Sequence, residues 1–312
     1  MNILISGVSG FLGSRVTKAV QGKVFAIGRN VIDEYRNNFY IKSIEGNTDY
    51  SDCLLNQDVI VHCAARAHIM NEVVSDPLTE YRRVNVDGTL NFARQAAEAS
   101  VKRFIYISSI KVNGESTTGS LAFTEKDIPN PLDPYGVSKY EAEEGLKKIA
   151  AESGMEVVII RPPLVYGAGV KANFLNLLKL SNTKFPLPFG LIKNKRSMIY
   201  VENLVDFIVK CLDHPAAANQ IFLVSDNHDL SLSGLLELIR KSMNKPTTLV
   251  PVPIRLFKFA GLLLRKKDVL DRLVGDLQVD SSKARELLDW IPPYTVKQGI
   301  QATVDSFLED NK

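Results

Sequence analysis

Tyr135 and Lys139 stand four positions apart in Tyr135-Gly136-Val137-Ser138-Lys139. A proline-rich turn precedes them, Pro129-Asn130-Pro131-Leu132-Asp133-Pro134, and the run Tyr140-Glu141-Ala142-Glu143-Glu144-Gly145-Leu146 that follows predicts a helix. Proline suits a helix start because its missing N–H has no intrahelical partner to lose. Positions i and i+4 share a helix face, so a phenol would lie beside an ammonium. A free tyrosine titrates at about 10, and a nearby positive charge favours the phenolate. Such a pair could pass a proton to or from a substrate oxygen near neutral pH. Taken alone, the spacing far more often marks a half-buried tyrosine beside a solvated lysine. The case for chemistry rests on what the remaining chain brings to the pair.

Ile3-Leu4-Ile5 has the apolar character of a buried parallel strand. Gly7-Val8-Ser9-Gly10-Phe11-Leu12-Gly13 follows at once, and Ser14 to Val20 has helical spacing. Strand, glycine-rich turn and helix form the context of a dinucleotide-binding turn. Its glycines permit the tight turn, let backbone approach a pyrophosphate and pack the helix on the strand. The helix start offers N–H groups to the anion. A second strand, Val24-Phe25-Ala26-Ile27, ends at Gly28-Arg29-Asn30. An NAD site commonly has an acid there for the ribose 2′-hydroxyl. Arg29 stands there instead, and its planar fork suits a 2′-phosphate. The expected cofactor is therefore NADP(H) or NAD(H), with a lean towards NADP(H); a solvated arginine at a strand end explains Arg29 equally.

These groups need a scaffold, and the remaining pattern supplies one. Val59 to Ala65 reads as a buried strand whose small end residues leave room for a cofactor. His62 reads as a packing residue there, with Arg66 and His68 on a loop facing the site. Val84-Asn85-Val86-Asp87-Gly88-Thr89 leads into a helix through Ala99; Arg103 to Ile107 is the next strand and ends in Ser108-Ser109; Val157 to Ile160 is another. Repeated βαβ of this kind predicts an α/β fold, a Rossmann-type doubly wound parallel sheet. After Pro162-Pro163 the loops lengthen and helical patterns dominate, at 173–181, 202–213, 231–243, 254–264 and 282–289. The expected division is a dinucleotide-binding domain over 1–165, to which 197–224 returns, and a smaller, mostly helical substrate domain over 166–196 and 225–312.

Lys and Arg number 38 against 35 Asp and Glu, a formal charge of +3, and the basic residues are scattered. Nothing in that balance points to nucleic acid. Cys53, Cys63 and Cys211 are odd in number and far apart. They fit reduced thiols of a cytoplasmic protein better than a disulfide framework, and no His pairs with them at zinc spacing. The start lacks the basic region of a signal peptide, and the longest apolar clusters are too short to span a membrane. The basic, amphipathic run 255–267 could touch a membrane surface, but an apolar helix face is usually core. Ser108-Ser109-Ile110-Lys111 and Ser225-Asp226-Asn227 match two of the three motifs of serine penicillin-interacting enzymes, without the K-T-G that completes them.

Read in order, Gly7-x-x-Gly10-x-x-Gly13, Asn85-Val86-Asp87-Gly88-Thr89, Ser108-Ser109, Tyr135-x-x-x-Lys139 and Arg161-Pro162-Pro163-Leu164-Val165-Tyr166-Gly167 resemble the extended short-chain dehydrogenase/reductases. This is the epimerase, dehydratase and reductase family of nucleotide sugars, and the resemblance spans essentially the whole chain. It implies Ser109, Tyr135 and Lys139 as the catalytic set, with Lys139 lowering the Tyr135 pKa. It implies a cofactor held by Gly7, Gly10, Phe11, Leu12, Gly13, Arg29, Ala64, Ala65, Tyr135, Lys139, Pro162 and Leu164. Asn85 matches an asparagine near the site. A UDP-sugar would be bound by Ser109, Lys111, Asn173, Arg196 and Arg272, the last in a motif carrying one extra residue. A homodimer through helices of the sheet domain is a family expectation.

Departures narrow the reaction. Family 4,6-dehydratases have Thr-Asp-Glu where Ser109-Ile110-Lys111 stands, so the acid and the base of dehydration are not the expected ones here, and the resemblance weighs against that reaction. The usual 4-epimerase has tyrosine at Asn113, asparagine at Leu164 and an acid at Arg29. Residues 62–70, 107–115 and 161–167, with Asn173-Phe174 and Pro186 to Gly190, resemble a narrower group, reductases of bacterial polysaccharide clusters that form UDP-N-acetylquinovosamine. The expected activity is NAD(P)H-dependent reduction at C4 of a 4-keto-6-deoxy UDP-sugar. The alternatives are a UDP-glucose or UDP-N-acetylglucosamine 4-epimerase with tightly bound NAD and, more remotely, a non-catalytic redox-sensing module.

Overall fold

The computed structural model describes residues 1–66, 76–257 and 273–311. Its centre is a seven-stranded sheet built from β1 (Asn2–Ser6), β2 (Lys23–Gly28), β3 (Phe39–Ile41), β4 (Val59–His62), β5 (Arg103–Ile107), β6 (Glu156–Arg161) and β9 (Ile221–Leu223). The spatial order is β3-β2-β1-β4-β5-β6-β9, with every neighbouring pair parallel. The fold is the expected Rossmann-type doubly wound α/β sheet. Successive strand residues point to opposite faces, and both faces are covered, so the strands read as unbroken apolar runs. Ile3, Ile5, Val59, Val61, Ile105 and Val158 bury on one face with Val16 and the Val201–Cys211 helix. Leu4, Ile60, Phe104 and Ile159 bury on the other, against Phe92 of the Thr89–Glu98 helix and Ala142 and Leu146 of the Pro134–Ser153 helix.

The Pro134–Ser153 helix begins as its sequence predicts. Asp133 caps it by accepting the Gly136 N–H at 2.6 Å, Pro134 opens it, and Gly154 closes it with a left-handed φ of 76°. A second, two-stranded sheet pairs β7 (Leu164–Tyr166) with β8 (Met198–Tyr200). It packs with the helices Ala172–Ser181, Leu232–Ser242 and Val296–Glu309 in a separate cluster around Tyr166, Phe174 and Ile300. Helices near 173–181, 202–213, 231–243 and 282–289 are present; of the one expected over 254–264, residues 254–257 are helical and the rest lie outside the described residues. The Val296–Glu309 helix is absent from the sequence reading. Its signal was local: Thr295 and Gln298 form a reciprocal capping box.

Candidate active site

Strand order reverses between β1 and β4, and ligands of doubly wound sheets bind in the crevice at that reversal. Two loops meet there. Gly7 follows β1 with φ +74°, and a Cβ on it would come within 2.7 Å of the Ala64 nitrogen beyond β4. Gly10 is exposed, and its N–H closes the turn onto the Gly7 carbonyl at 2.8 Å. Gly13 presses on the same carbonyl, where a Cβ would stand 2.2 Å away. Only glycines allow this close a turn, and their missing side chains leave its outer backbone bare. That cradle, with Gly7, Gly10, Phe11, Leu12 and Gly13 on one side and Ala64 and Ala65 on the other, has the shape to fit a nicotinamide dinucleotide. Arg29 is exposed just past β2. Gly13→Ala is expected to lower the thermal unfolding midpoint by roughly 2–10 °C, because the added methyl must displace backbone; calorimetry checks it.

Beside this crevice, His62 is spoken for. Its ring lies 2.7 Å from the Ser6 hydroxyl and 3.0 Å from that of Thr89, and burial brings its pKa down to about 3. It is a neutral packing residue. Asn85 sits in a π-helical turn, Arg83–Gly88, of the sort often found at functional sites. Its amide accepts the Arg66 N–H at 2.8 Å and donates to the Ser138 hydroxyl at 3.0 Å. Asn85 thereby ties the loop beyond β4 to the helix of Tyr135.

Tyr135 occupies the first turn of that helix, its ring edge-on to Tyr81 with centroids 5.9 Å apart. Lys139 is buried. Its ammonium donates to the Ile107 carbonyl at 2.8 Å and lies 4.5 Å from the Tyr106 ring centre and 5.9 Å from that of Tyr135. One expectation is corrected here. The Tyr135 phenol is raised, not lowered, by burial first and by Asp133 and Tyr81 second. Lys139 itself is brought down to about 7 by burial, against the opposing pull of Glu143 and Cys63. The lysine faces a carbonyl and another ring, and desolvation is the largest influence on the phenol.

Ser109 follows β5 and caps a short 3-10 turn, Ile110–Val112, accepting the Lys111 N–H at 3.2 Å. Beneath it lies an ion pair that the spacing of the sequence does not reveal. Glu143 and Arg161 are buried, joined at 2.5 Å and 3.0 Å. Ser108 donates to Glu143, Arg161 donates to Asn113 at 2.9 Å, and Asn113 to the Thr124 carbonyl at 2.8 Å. The only hint was a charged residue adjoining each apolar run, since charges rarely bury unless paired.

The remaining predicted residues are dispersed. Lys111 is paired with Asp133, with Glu115 3.5 Å away. Pro162 is buried and its carbonyl accepts the Ile110 N–H at 3.0 Å; Leu164 is partly exposed. Asn173 is exposed in the first turn of its helix. Arg196 donates to the Gly275 carbonyl at 3.1 Å, and burial lowers its pKa. Arg272 and His68 lie outside the described residues. Among the described residues no cluster of His, Cys, Asp or Glu is placed to hold a metal, and no helix is long and apolar enough to cross a membrane.

A glycine cradle at the switch point, with a tyrosine–lysine pair and a serine strand end, defines a nucleotide-binding enzyme of the short-chain dehydrogenase/reductase type. The chain belongs to the NAD dependent epimerase/dehydratase family, which it matches over residues 3–225. A nicotinamide dinucleotide is therefore its cofactor class. It is 48% identical to a UDP-glucose 4-epimerase of Vibrio cholerae, over 99% of this chain and 96% of the relative. It is 28% identical to an undecaprenol-linked N-acetylglucosamine 4-epimerase of Escherichia coli O157:H7, over 97% and 94% of the two chains. The fold matches that of a UDP-glucuronic acid 4-epimerase of Bacillus cereus in complex with NAD, with a TM-score of 0.80, 23% identity and complete coverage of both chains.

Proposed function

We propose that the chain is a 4-epimerase of UDP-hexoses, acting on UDP-glucose or its 2-acetamido analogue. The reading supported here differs from the reductase expected from the narrower resemblance. Its main support is near-half identity, over almost the full length, to a UDP-glucose 4-epimerase. The geometry supports it at one point above all: the Ser109 turn and the Tyr135 helix are fastened together by Lys139 to Ile107, Glu143 to Ser108 and Lys111 to Asp133. Two hydroxyls held on rigid neighbours can serve one sugar oxygen.

In this reading Tyr135 moves the proton at the C4 oxygen. The Ser109 hydroxyl orients that oxygen and bears part of its developing charge. A bound nicotinamide would supply the acceptor and donor for the hydride of sugar C4. Lys139 and the backbone near Pro162 and Leu164 would hold its ribose and amide. Residues 166–196 and 225–312 form the substrate domain, where Arg196, Arg272 and Asn173 would meet the nucleotide sugar. In this reading the protein works in the cytoplasm.

A second reading keeps the 4-keto-sugar reductase. Asn113, at the usual tyrosine position, is buried and committed to Arg161 and Thr124, and Arg29 replaces the usual acid. Chromatography of the purified protein with UDP-glucose or UDP-N-acetylglucosamine separates the two. The expected result is interconversion of gluco and galacto forms with no change at the reduced-nicotinamide absorbance. Absence of interconversion, with NAD(P)H consumed by a 4-keto-6-deoxy UDP-N-acetylhexosamine, would establish the reductase.

A further inference from the structure

We propose that Lys111 is a positioning residue for Tyr135, clamping the Ser109 turn to the start of the Tyr135 helix and balancing the carboxylate that caps that helix. The proposal rests on the reading of Tyr135 as the proton-transfer group. One residue makes both halves of the clamp. The Lys111 backbone N–H donates to the Ser109 hydroxyl at 3.2 Å. Its ammonium donates to Asp133 Oδ2, while Asp133 Oδ1 accepts the Gly136 N–H at 2.6 Å. Tyr135 lies between the two ends of that cap, Asp133 and Gly136. Backbones are tight here as well: a Cβ on Gly136 would stand 2.9 Å from the Lys111 carbonyl oxygen. The pair is shielded, with Lys111 at 25% and Asp133 at 14% side-chain exposure, so its charges are less screened than those of a surface pair.

The groups around Tyr135 give the clamp an electrical consequence. Its own helix contributes Asp133 and Lys139, the Pro77–Arg82 helix contributes Tyr81, and β5 contributes Tyr106, whose ring lies under the Lys139 ammonium. Arg66 lies over the Tyr81 ring at 5.7 Å. Asp133 opposes ionisation of Tyr135. Lys111 is the cation paired to that carboxylate, with Glu115 on its far side at 3.5 Å. Removing the ammonium leaves the Asp133 carboxylate unbalanced beside the phenol, and the phenolate becomes harder to form. Removing the Asp133 charge does the reverse.

The test compares Lys111→Met, Asp133→Asn, the double variant and Lys111→Arg. The readouts are kcat and KM across pH for UDP-hexose turnover, and tyrosinate absorbance titrated as a difference from Tyr135→Phe. Lys111→Met should move the Tyr135 limb up by about half to one pH unit. Asp133→Asn should move it down by a similar amount, since asparagine caps a helix as well as aspartate. The double variant should return towards the parent, and Lys111→Arg should stay there. A rise in KM with both variants keeping the parent pH limbs would overturn the proposal and restore Lys111 as a substrate contact, as would shifts of the same sign. Asp133→Asn reads the sign even if Lys111→Met does not fold. Activity surviving in Tyr135→Phe would overturn the reading beneath the proposal, whereas an inactive Tyr135→Phe with unmoved limbs overturns the clamp alone.

Discussion

Tyr135→Phe should lower kcat by about 10²–10⁴-fold, the usual contribution of a positioned acid–base group. The substitution removes one oxygen and little else. The ring keeps its edge-on contact with Tyr81, the helix keeps its Asp133 cap, and Lys139 keeps its bond to Ile107. Thermal stability should therefore stay close to that of the parent. Burial holds the phenol above its ordinary range, so near neutral pH the free protein carries it protonated. Steady-state kinetics with the interconverting UDP-hexoses, beside a thermal melt, tests the expectation. A kcat within tenfold of the parent would remove Tyr135 from the chemistry.

Glu143→Ala should be the most damaging substitution for stability. The side chains of Arg161 and Glu143 are 1% and 0% exposed. Truncating the acid strands a guanidinium where water cannot solvate it, and breaking a buried pair this way costs about 3–5 kcal/mol. In a chain of this size that corresponds to a fall in unfolding midpoint of roughly 10 °C. Ser108 loses its acceptor in the same step, and the bond of Arg161 to Asn113 is left on an unbalanced charge. Glu143 holds Ser108, the residue before Ser109, so turnover should fall with stability. Replacing both partners by apolar residues, as in Glu143→Leu with Arg161→Met, should recover much of the loss, because no unpaired charge then remains. Denaturant titration of the parent and the two variants decides it. Equal losses in the single and double variants would show that packing, not the stranded charge, dominates.

The two predictions rest on different kinds of information. Tyr135 and Lys139 were legible because an i, i+4 spacing on a helix is a local property, and proline and aspartate mark the start of that helix. The glycine turn was legible for a similar reason: a left-handed φ at Gly7 and backbone contact at Gly13 are demands that few residues meet. Ser109 was legible as the end of an apolar strand. These features, with the βαβ alternation, determined the fold class and the family from the chain itself.

What the tertiary structure decided is which distant residues meet, and how dry their meeting place is. Glu143 and Arg161 are 18 positions apart, Lys111 and Asp133 22, and Asn85 and Ser138 53. No periodicity encodes such pairings, because they arise only when the helices lie down on the sheet. Burial also reversed the expected direction at Tyr135, and packing set Lys111 against a carboxylate. A charge's effect depends on the solvent around it and on where its side chain points. The sequence by itself determined the parts of the site and the fold that carries them; the packing of that fold decided their electrostatics and the network that holds them in register.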